Sequence, residues 1–306
     1  GAGREAQATT AVTGRATWTA VPVGDERHRL GEGPHWDAEQ GRLSWVDIAA
    51  GALWVQQDGT TRSWALGEPL GVAVPHADGG WVCGLGRGIA AVDDAGTVLR
   101  RVELEPAEVR MNDGACDPRG RFFVGSKAHD NSPGAGSLWR LALDGSVTRA
   151  LAGLTISNGL GWSPDGTTMY VTDSLPGRVD AYAYDLQTGE LGDRRPFLAL
   201  APGDGSPDGL AVDAAGDVWV AVWGGGEVRR FAPTGEHTGV VRVGSSLVTS
   251  CAFTGADLTT LTVTTAWDEL TDEQRAQEPD AGRRYVAEVG VRGTAGEPCR
   301  AAGLSA

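Results

Sequence analysis

An internal repeat constrains this chain more than any other feature of its sequence. A short apolar run, a turn rich in Asp, Pro and Gly, and an alternating apolar run recur along the chain, which is the pattern of a β-hairpin. The copies are clear over 114–125, 159–173 and 209–221, and looser over 33–47, 71–84 and 251–264. They begin 38 to 50 residues apart, a period typical of repeat architectures.

The segments between the hairpins hold further strand-like runs, among them 52–55, 137–141 and 179–184. Each repeat can therefore supply about four strands, which is the size of one propeller blade. A β-sandwich would not repeat one hairpin six times at nearly constant spacing. The sequence thus predicts an all-β fold, a six-bladed β-propeller with four-stranded blades around a central channel.

No linker divides the repeats, so we expect a single propeller domain over 17–295. Residues 1–16 are expected to form a disordered or vector-derived tail, and 296–306 a C-terminal tail. The segments 17–23 and 285–291 are candidates to share one blade and so close the ring.

Composition and charge exclude several classes of function. The formal net charge is −14, so the chain would not neutralise phosphates, and we expect no nucleic-acid partner. No apolar run approaches the ~18 residues that cross a bilayer, so we expect no membrane partner. The four cysteines lack metal-ligand spacing, and buried reduced thiols in a reducing cytoplasm are the expectation. A soluble monomer or weak homodimer fits these properties.

One position of the repeat is rich in side-chain oxygen. The residue before the first Gly or Cys of each copy is, in order, Glu32, Leu70, Asp113, Asn158, Asp208 and Ser250. Acids before glycine are common turn formers, but equivalent positions on the innermost strands of a propeller surround its channel, so these side chains should converge. Converging carboxylates repel one another unless a cation lies between them. Their oxygens suit a hard cation such as Ca²⁺ or Mg²⁺, and Mn²⁺ or Zn²⁺ would also fit.

Five short motifs resemble those of a known family. They are Gly31-Glu-Gly-Pro34, Arg110-Met-Asn-Asp-Gly114, Ser157-Asn-Gly-Leu160 with Ser163-Pro-Asp-Gly166, Pro207-Asp-Gly-Leu210 and Val222-Trp-Gly-Gly-Gly226. Taken in order, they resemble the gluconolactonase family, which includes regucalcin (senescence marker protein) and luciferin-regenerating enzyme. The resemblance extends over about 18–293 and so covers nearly the whole chain.

The resemblance implies a six-bladed propeller with one divalent metal ion held at the positions of Glu32, Asn158 and Asp208. Ca²⁺ is favoured, with Zn²⁺, Mn²⁺ or Mg²⁺ as alternatives. It also implies that Arg110 and Asn112 reach the substrate, a small lactone.

Several rim positions bear on the choice of substrate. Family members commonly have Met at the position of Lys127, an acidic residue near that of Asp130, and often Arg at that of Trp267. We expect Lys127 and Asp130 to contact substrate, and Lys127 and Trp267 to set substrate choice rather than the chemical step. His129 lies in the same loop as Lys127. The charged stretch 268–281 fits either a lid or a solvated linker.

Opening a lactone requires a polarised carbonyl and an activated water, and a metal with open positions supplies both. Asp208 is the candidate to accept the proton of the water, and Arg110 the candidate to stabilise the oxyanion. We therefore expect a metal-dependent lactonase, a carboxylic-ester hydrolase. The alternative is a non-hydrolytic propeller, either a calcium-binding regulatory protein or a pathway enzyme that uses the same pocket for another reaction.

Other polar residues are expected to play structural roles. Asp113 could support the site, hold a second cation or line the channel, and Asp173 is expected to be structural. The chain has no G-x-S-x-G elbow, and its five histidines are scattered and expected at turns or on the surface. Both observations disfavour a serine hydrolase.

Overall fold

The computed structural model describes residues 9–10 and 14–303 and confirms the predicted six-bladed β-propeller. Each blade contains four antiparallel strands, and one blade is extended by two further strands. The innermost strands of consecutive blades contact one another around the axis, and the last contacts the first.

Three short strands precede the first blade: β1 (Thr9–Thr10), β2 (Ala16–Thr19) and β3 (Val21–Val23). Blade I consists of β4 (Gly31–Asp37), β5 (Arg42–Asp47), β6 (Ala52–Gln57) and β7 (Thr60–Ala65). Blade II consists of β8 (Leu70–Pro75), β9 (Trp81–Leu85), β10 (Gly88–Val92) and β11 (Val98–Glu103). Blade III consists of β12 (Val109–Cys116), β13 (Phe122–Ala128), β14 (Gly136–Leu141) and β15 (Val147–Leu154).

Blade IV consists of β16 (Ser157–Trp162), β17 (Thr168–Asp173), β18 (Arg178–Asp185) and β19 (Glu190–Ala199). Blade V contains β20 (Ser206–Val212), β21 (Val218–Trp223), β22 (Glu227–Phe231) and β23 (His237–Arg242). Blade VI contains β24 (Val248–Thr254), β25 (Thr260–Thr265) and, after the short helix α1 (Asp272–Gln277), β26 (Arg284–Glu288).

The N-terminal strands close the ring. Strand β3 pairs antiparallel with β26 and so supplies the outermost strand of blade VI. Strand β2 pairs in parallel with β23 and extends blade V, with β1 beside it at the edge. The ring is therefore closed by pairing between segments from opposite ends of the chain. Of the segments predicted to share a blade, 21–23 pairs with 284–286, whereas 16–19 extends blade V instead.

The apolar core lies between adjacent blades rather than at one centre. In blade II every residue of β8, β9 and β10 is buried, whereas every residue of the outer strand β11 is exposed. Strands near the axis are covered on both faces by neighbouring blades, so they carry continuous apolar runs. Between blades V and VI, for example, the ring of Trp219 packs edge-on against Phe253.

An aspartate holds the turn between the two inner strands of blade III. Asp117 Oδ1 accepts hydrogen bonds from the backbone N–H groups of Arg119 and Arg121. Its Oδ2 accepts from Arg121 Nη1 at 2.8 Å and from the Tyr184 hydroxyl of blade IV at 2.5 Å. Asp213 binds the corresponding turn of blade V, which explains in physical terms why an acid recurs there in the repeat.

The chain continues to pack beyond residue 295, where the sequence analysis placed a tail. Gly293 pairs with Asp213 of blade V, and Cys299 pairs with His76 of blade II. Between them, Gly296 and its neighbours line one end of the central channel. The segment therefore closes the base of the propeller below a cavity of about 290 Å³.

Two of the histidines predicted at turns or on the surface, His28 and His76, are buried, and His76 begins the turn between β8 and β9. Trp45 Nε1 donates to His28 Nε2 at 2.9 Å, and the backbone N–H of Asp78 donates to His76 Nδ1 at 3.1 Å. Each ring is buried with a ring nitrogen that accepts a hydrogen bond. All four cysteines belong to the described residues and are buried free thiols. Within the described ranges, no helix has the length and apolarity that crossing a membrane requires.

Candidate active site

A β-bulge on every innermost strand lies at the oxygen-rich position of the repeat. Pairing with the second strand shifts over 32–35 of β4, 70–72 of β8, 111–114 of β12, 157–160 of β16, 207–210 of β20 and 248–250 of β24. A bulge takes residues out of the ladder and re-aims their side chains. The repeated hairpin thus contains a repeated irregularity at the position where candidate ligands stand.

The glycines that follow the candidate ligands allow adjacent innermost strands to approach closely. A Cβ on Gly159 would lie 2.6 Å from the carbonyl oxygen of Asp208, and a Cβ on Gly209 would lie 2.0 Å from Ser250 Oγ. No side chain fits in that space without displacing the next blade. The Asn-Gly and Asp-Gly pairs are therefore a packing requirement of the site.

Glu32, Asn158 and Asp208 are all buried near the beginning of their innermost strands, at the end of the channel that is called its mouth below. Asn158 Nδ2 donates to Ser174 Oγ at 3.0 Å, which directs its Oδ1 elsewhere. Among the described residues, neither Asn158 Oδ1 nor Asp208 Oδ1 has a hydrogen-bond donor. Buried polar atoms nearly always have a partner. Two buried oxygens without donors therefore fit a cation.

The electrostatics of the acids support the same conclusion. Burial, together with the charges of Asp208 and Asp113, raises the pKa of Glu32 well above its usual range. Burial also raises the pKa of Asp208, and it raises that of Asp113 to about 6. Carboxyls in such surroundings stay charged only when a positive group compensates them.

The donor set fits a hard divalent cation. Within residues 9–10 and 14–303 no group of three or more His, Cys, Asp or Glu side chains is arranged to hold a metal ion. The candidate set is different, because one of its three oxygens comes from an amide. Mixed carboxylate and amide oxygens are common ligands of Ca²⁺. Three protein oxygens also leave coordination positions for water and substrate.

Arg110 is held in place by its own strand. Its Nη1 donates to the carbonyl oxygen of Met111 at 2.9 Å and to Asn112 Oδ1 at 3.0 Å. Asn112 Nδ2 in turn donates to the carbonyl oxygen of Ser157 at 2.9 Å, so both ends of this amide are engaged. Burial lowers the pKa of Arg110 to about 10, against the attraction of Glu32 and other acids. Asn112 thus links blades III and IV and orients Arg110.

Lys127 lies beside Arg110 at the same mouth. The two residues are directly opposed in the ladder between β12 and β13. Burial, followed by the charge of Arg110, lowers the pKa of Lys127 to about 8. The charge of Glu269 raises the pKa of both cations, although Glu269 itself is exposed. Glu269 was not among the residues predicted for the site, and its only signal in the sequence was the charged character of 268–281.

The stretch 268–281 is packed against the rim. Helix α1 begins at a capping box in which Thr271 and Gln274 exchange side-chain and backbone hydrogen bonds. Leu270 and Ala281 are buried in an apolar cluster that also contains Trp267, and the guanidinium of Arg275 lies 4.4 Å from the ring centroid of Trp267. Trp267 therefore anchors this rim segment.

The other predicted residues lie around the site in different roles. Asp130 is exposed, and its Oδ1 accepts from the backbone N–H and the hydroxyl of Ser132. His129 in the same loop is exposed too. Asp113 lines the cavity below the mouth. Asp173 accepts from the backbone N–H groups of 155 and 156 and so fixes the start of β16.

Fold and site together define a six-bladed propeller with an oxygen-rich, acidic cluster of buried side chains at one mouth of its channel. Residues 30–267 match the family model described as the SMP-30/Gluconolactonase/LRE-like region. The chain therefore belongs to this family, which confirms the resemblance found in the sequence motifs.

Individual relatives match over nearly their whole length. Regucalcin from Gallus gallus is 36% identical over 283 residues, covering 89% of this chain and 95% of that protein. YvrE from Bacillus subtilis, whose name marks it as a candidate sugar lactone lactonase, is 32% identical over 280 residues, covering 90% and 96%. The crystal structure of a calcium-binding protein, regucalcin from Agrobacterium tumefaciens, is similar with a TM-score of 0.88 and 29% identity, covering 93% of this chain and 98% of that one.

Proposed function

We propose that this protein hydrolyses small lactones at the acidic mouth of its propeller, with a divalent cation held by Glu32, Asn158 and Asp208. The observation that carries the proposal is the pair of buried oxygens without donors on Asn158 and Asp208, beside the carboxyl of Glu32. The family description and the name of the Bacillus subtilis relative support a lactone as substrate. The calcium-binding relative from Agrobacterium tumefaciens supports Ca²⁺ as the cation.

A divalent cation at this position supplies Lewis acidity for the lactone carbonyl and for water. Asp208, buried at the candidate cation site, accepts the proton of the attacking water. Arg110, fixed by Met111 and Asn112, stabilises the negative charge that develops on the carbonyl oxygen. The water oxygen bonds to the carbonyl carbon, the ring C–O bond breaks, and the proton passes to the leaving oxygen to give a hydroxy acid.

The variant Asp208→Asn separates the role of base from the role of ligand, because it keeps an oxygen but cannot accept the proton. We expect kcat at saturating cation to fall about 10²–10⁴-fold, the usual cost of losing a general base. Cation occupancy is measured by calorimetry on the same samples. Asp113→Asn, a buried carboxyl at the equivalent repeat position, is the matched control and should retain far more activity.

Two outcomes would contradict the proposal. A near-normal kcat in fully loaded Asp208→Asn protein would assign Asp208 to cation binding alone. Absence of turnover on a panel of lactones with Ca²⁺, Mg²⁺, Mn²⁺ and Zn²⁺ would refute lactone hydrolysis. A calcium-binding protein without hydrolytic activity would then remain, because it requires the three oxygens but not an oriented arginine.

A further inference from the structure

Two positive side chains face each other across the first strand pair of blade III. Arg110 on β12 and Lys127 on β13 are direct partners in the antiparallel ladder, which places their Cβ atoms about 5 Å apart on one face of the sheet. Like charges at directly opposed positions destabilise a sheet. The repulsion between the two charges therefore destabilises the folded protein. Locally unfavourable interactions of this kind are concentrated at functional sites.

Lys127 is also singular in the sequence. It is the only lysine of the chain, and the other 25 of the 26 basic residues are arginines. It forms an isolated bridge with Ile156, two residues before the candidate ligand Asn158. Lys127 is half-buried at this position, between Arg110 on one side and the start of blade IV on the other.

Among the described residues, neither cation is neutralised by an ion pair. Within the part of the chain that the structure describes, no carboxylate lies within salt-bridge distance of Lys127 or Arg110. Charged groups removed from water are normally paired. Two partly desolvated cations at the pocket thus remain available to a ligand.

Charges of both signs lie around the candidate cation site. Glu32 and Asp208 would together neutralise a bound divalent cation. Arg110 and Lys127 then face two acids of the rim: Glu269, which acts on both of them, and Asp130, which acts on Lys127. Glu269 and Asp130 are exposed, so water and salt screen their charges more than those of the two partly buried cations, and this difference favours an anionic ligand at the cations.

The hydrogen bonds of Asp130 and Asp113 are made to other groups. Asp130 is exposed and bound to Ser132 within its own loop. Asp113 accepts from the backbone N–H of Gly114 at 2.8 Å and lines the channel below the mouth. Neither forms a salt bridge with Lys127.

We propose that the preferred lactone carries a second anionic group, a carboxylate or a phosphate, which is bound by the ammonium of Lys127 beside Arg110. This inference rests on the proposed lactonase function and names the substrate class. The carboxylate of Glu269, on the opposite side of the rim, repels an anionic substrate. Glu269 therefore weakens the preference for charged lactones that Lys127 provides.

The first test compares kcat/KM for three lactones of one ring size: a neutral aldonolactone, an aldaric acid monolactone and a phosphorylated aldonolactone. The unmodified protein should prefer one charged lactone over the neutral one at least about tenfold, and the one preferred distinguishes carboxylate from phosphate. Lys127→Met should lower this ratio about 10- to 100-fold, the effect of losing one charged hydrogen bond. Lys127→Arg should restore part of the ratio, and Glu269→Gln should raise it.

A second test does not depend on turnover. Because Lys127 is the only lysine, reductive methylation followed by peptide mapping reports its accessibility, with the N-terminal amine as internal control. An aldarate dianion should slow methylation of Lys127 at concentrations that leave the N-terminal rate unchanged, and an aldonate should protect it less.

The outcomes separate the two proposals. A preference for the neutral lactone, or a ratio unchanged by Lys127→Met, would overturn the inference while leaving lactone hydrolysis intact. If no lactone were turned over, the proposed function would fail, and the methylation experiment would still decide the inference. Equal methylation rates with and without aldarate would refute anion binding at Lys127.

Discussion

The buried His28 is expected to make the fold sensitive to mild acid. Its side chain is 1% exposed, its Nε2 accepts from Trp45 Nε1, and its Nδ1 has no hydrogen-bond partner among the described residues. Burial lowers the pKa of His28 from 6.5 to about 4, against the attraction of Asp47. The guanidinium of Arg284, 3.9 Å from the centroid of the Trp45 ring, adds further repulsion of a charged imidazole.

The sign and size of the effect follow from this pKa. Between pH 6.5 and 4 the unfolded chain binds a proton at His28 that the folded protein excludes, so the free energy of unfolding falls as the pH falls. The contribution is complete above pH 6.5 and lost towards pH 4. With 1.36 kcal/mol for each pKa unit, His28 accounts for a loss of about 2.5 kcal/mol between pH 7.5 and 4.5.

The variant His28→Gln isolates this contribution, because the amide oxygen can still accept from Trp45 Nε1 but does not titrate. Urea unfolding of both proteins from pH 7.5 to 4.5 gives the difference in their free energies of unfolding. As the pH falls from 7.5 to 4.5, the free energy of unfolding of His28→Gln should rise by about 2.5 kcal/mol relative to that of the unmodified protein. The site acids with raised pKa act in the opposite direction, but they are common to both proteins and cancel. A pH-independent difference would show that His28 titrates normally in the folded state.

Further predictions concern the site and its supports. Cation affinity, measured by calorimetry, should fall as the pH falls, because the raised pKa values of Glu32 and Asp208 make protons compete with the cation; affinity independent of pH would contradict this. Gly209→Ala should destabilise the protein by about 1–3 kcal/mol and weaken cation binding, whereas Gly244→Ala, whose Cβ would meet its nearest atom at 3.5 Å, should do neither. Asp117→Ala should cost about 3–5 kcal/mol in urea unfolding, because it leaves a buried arginine without its partner; a cost below about 1 kcal/mol would show that this pair adds little.

The local repeat was sufficient to predict the fold. Each hairpin is encoded by alternation of apolar residues and by turn residues close together in sequence, so its periodicity identified the blades, and the segments that close the ring, before any contact was known. The same repeat identified Glu32, Asn158 and Asp208 as equivalent positions. Their convergence follows from rotational symmetry, because residues at one register of a closed ring must surround its axis.

Features that do not repeat were decided by the tertiary structure. The opposition of Arg110 and Lys127 depends on the register of one strand pair, and the effect of Glu269 on both depends on how a non-repeated rim segment packs. In the fold His28 is buried, whereas the sequence predicted a histidine at a turn or on the surface. The segment 293–302 crosses the base of the channel, whereas a C-terminal tail was predicted from residue 296. These contacts join residues far apart in the chain, and their energies depend on desolvation and close approach, which arise only when the blades are assembled.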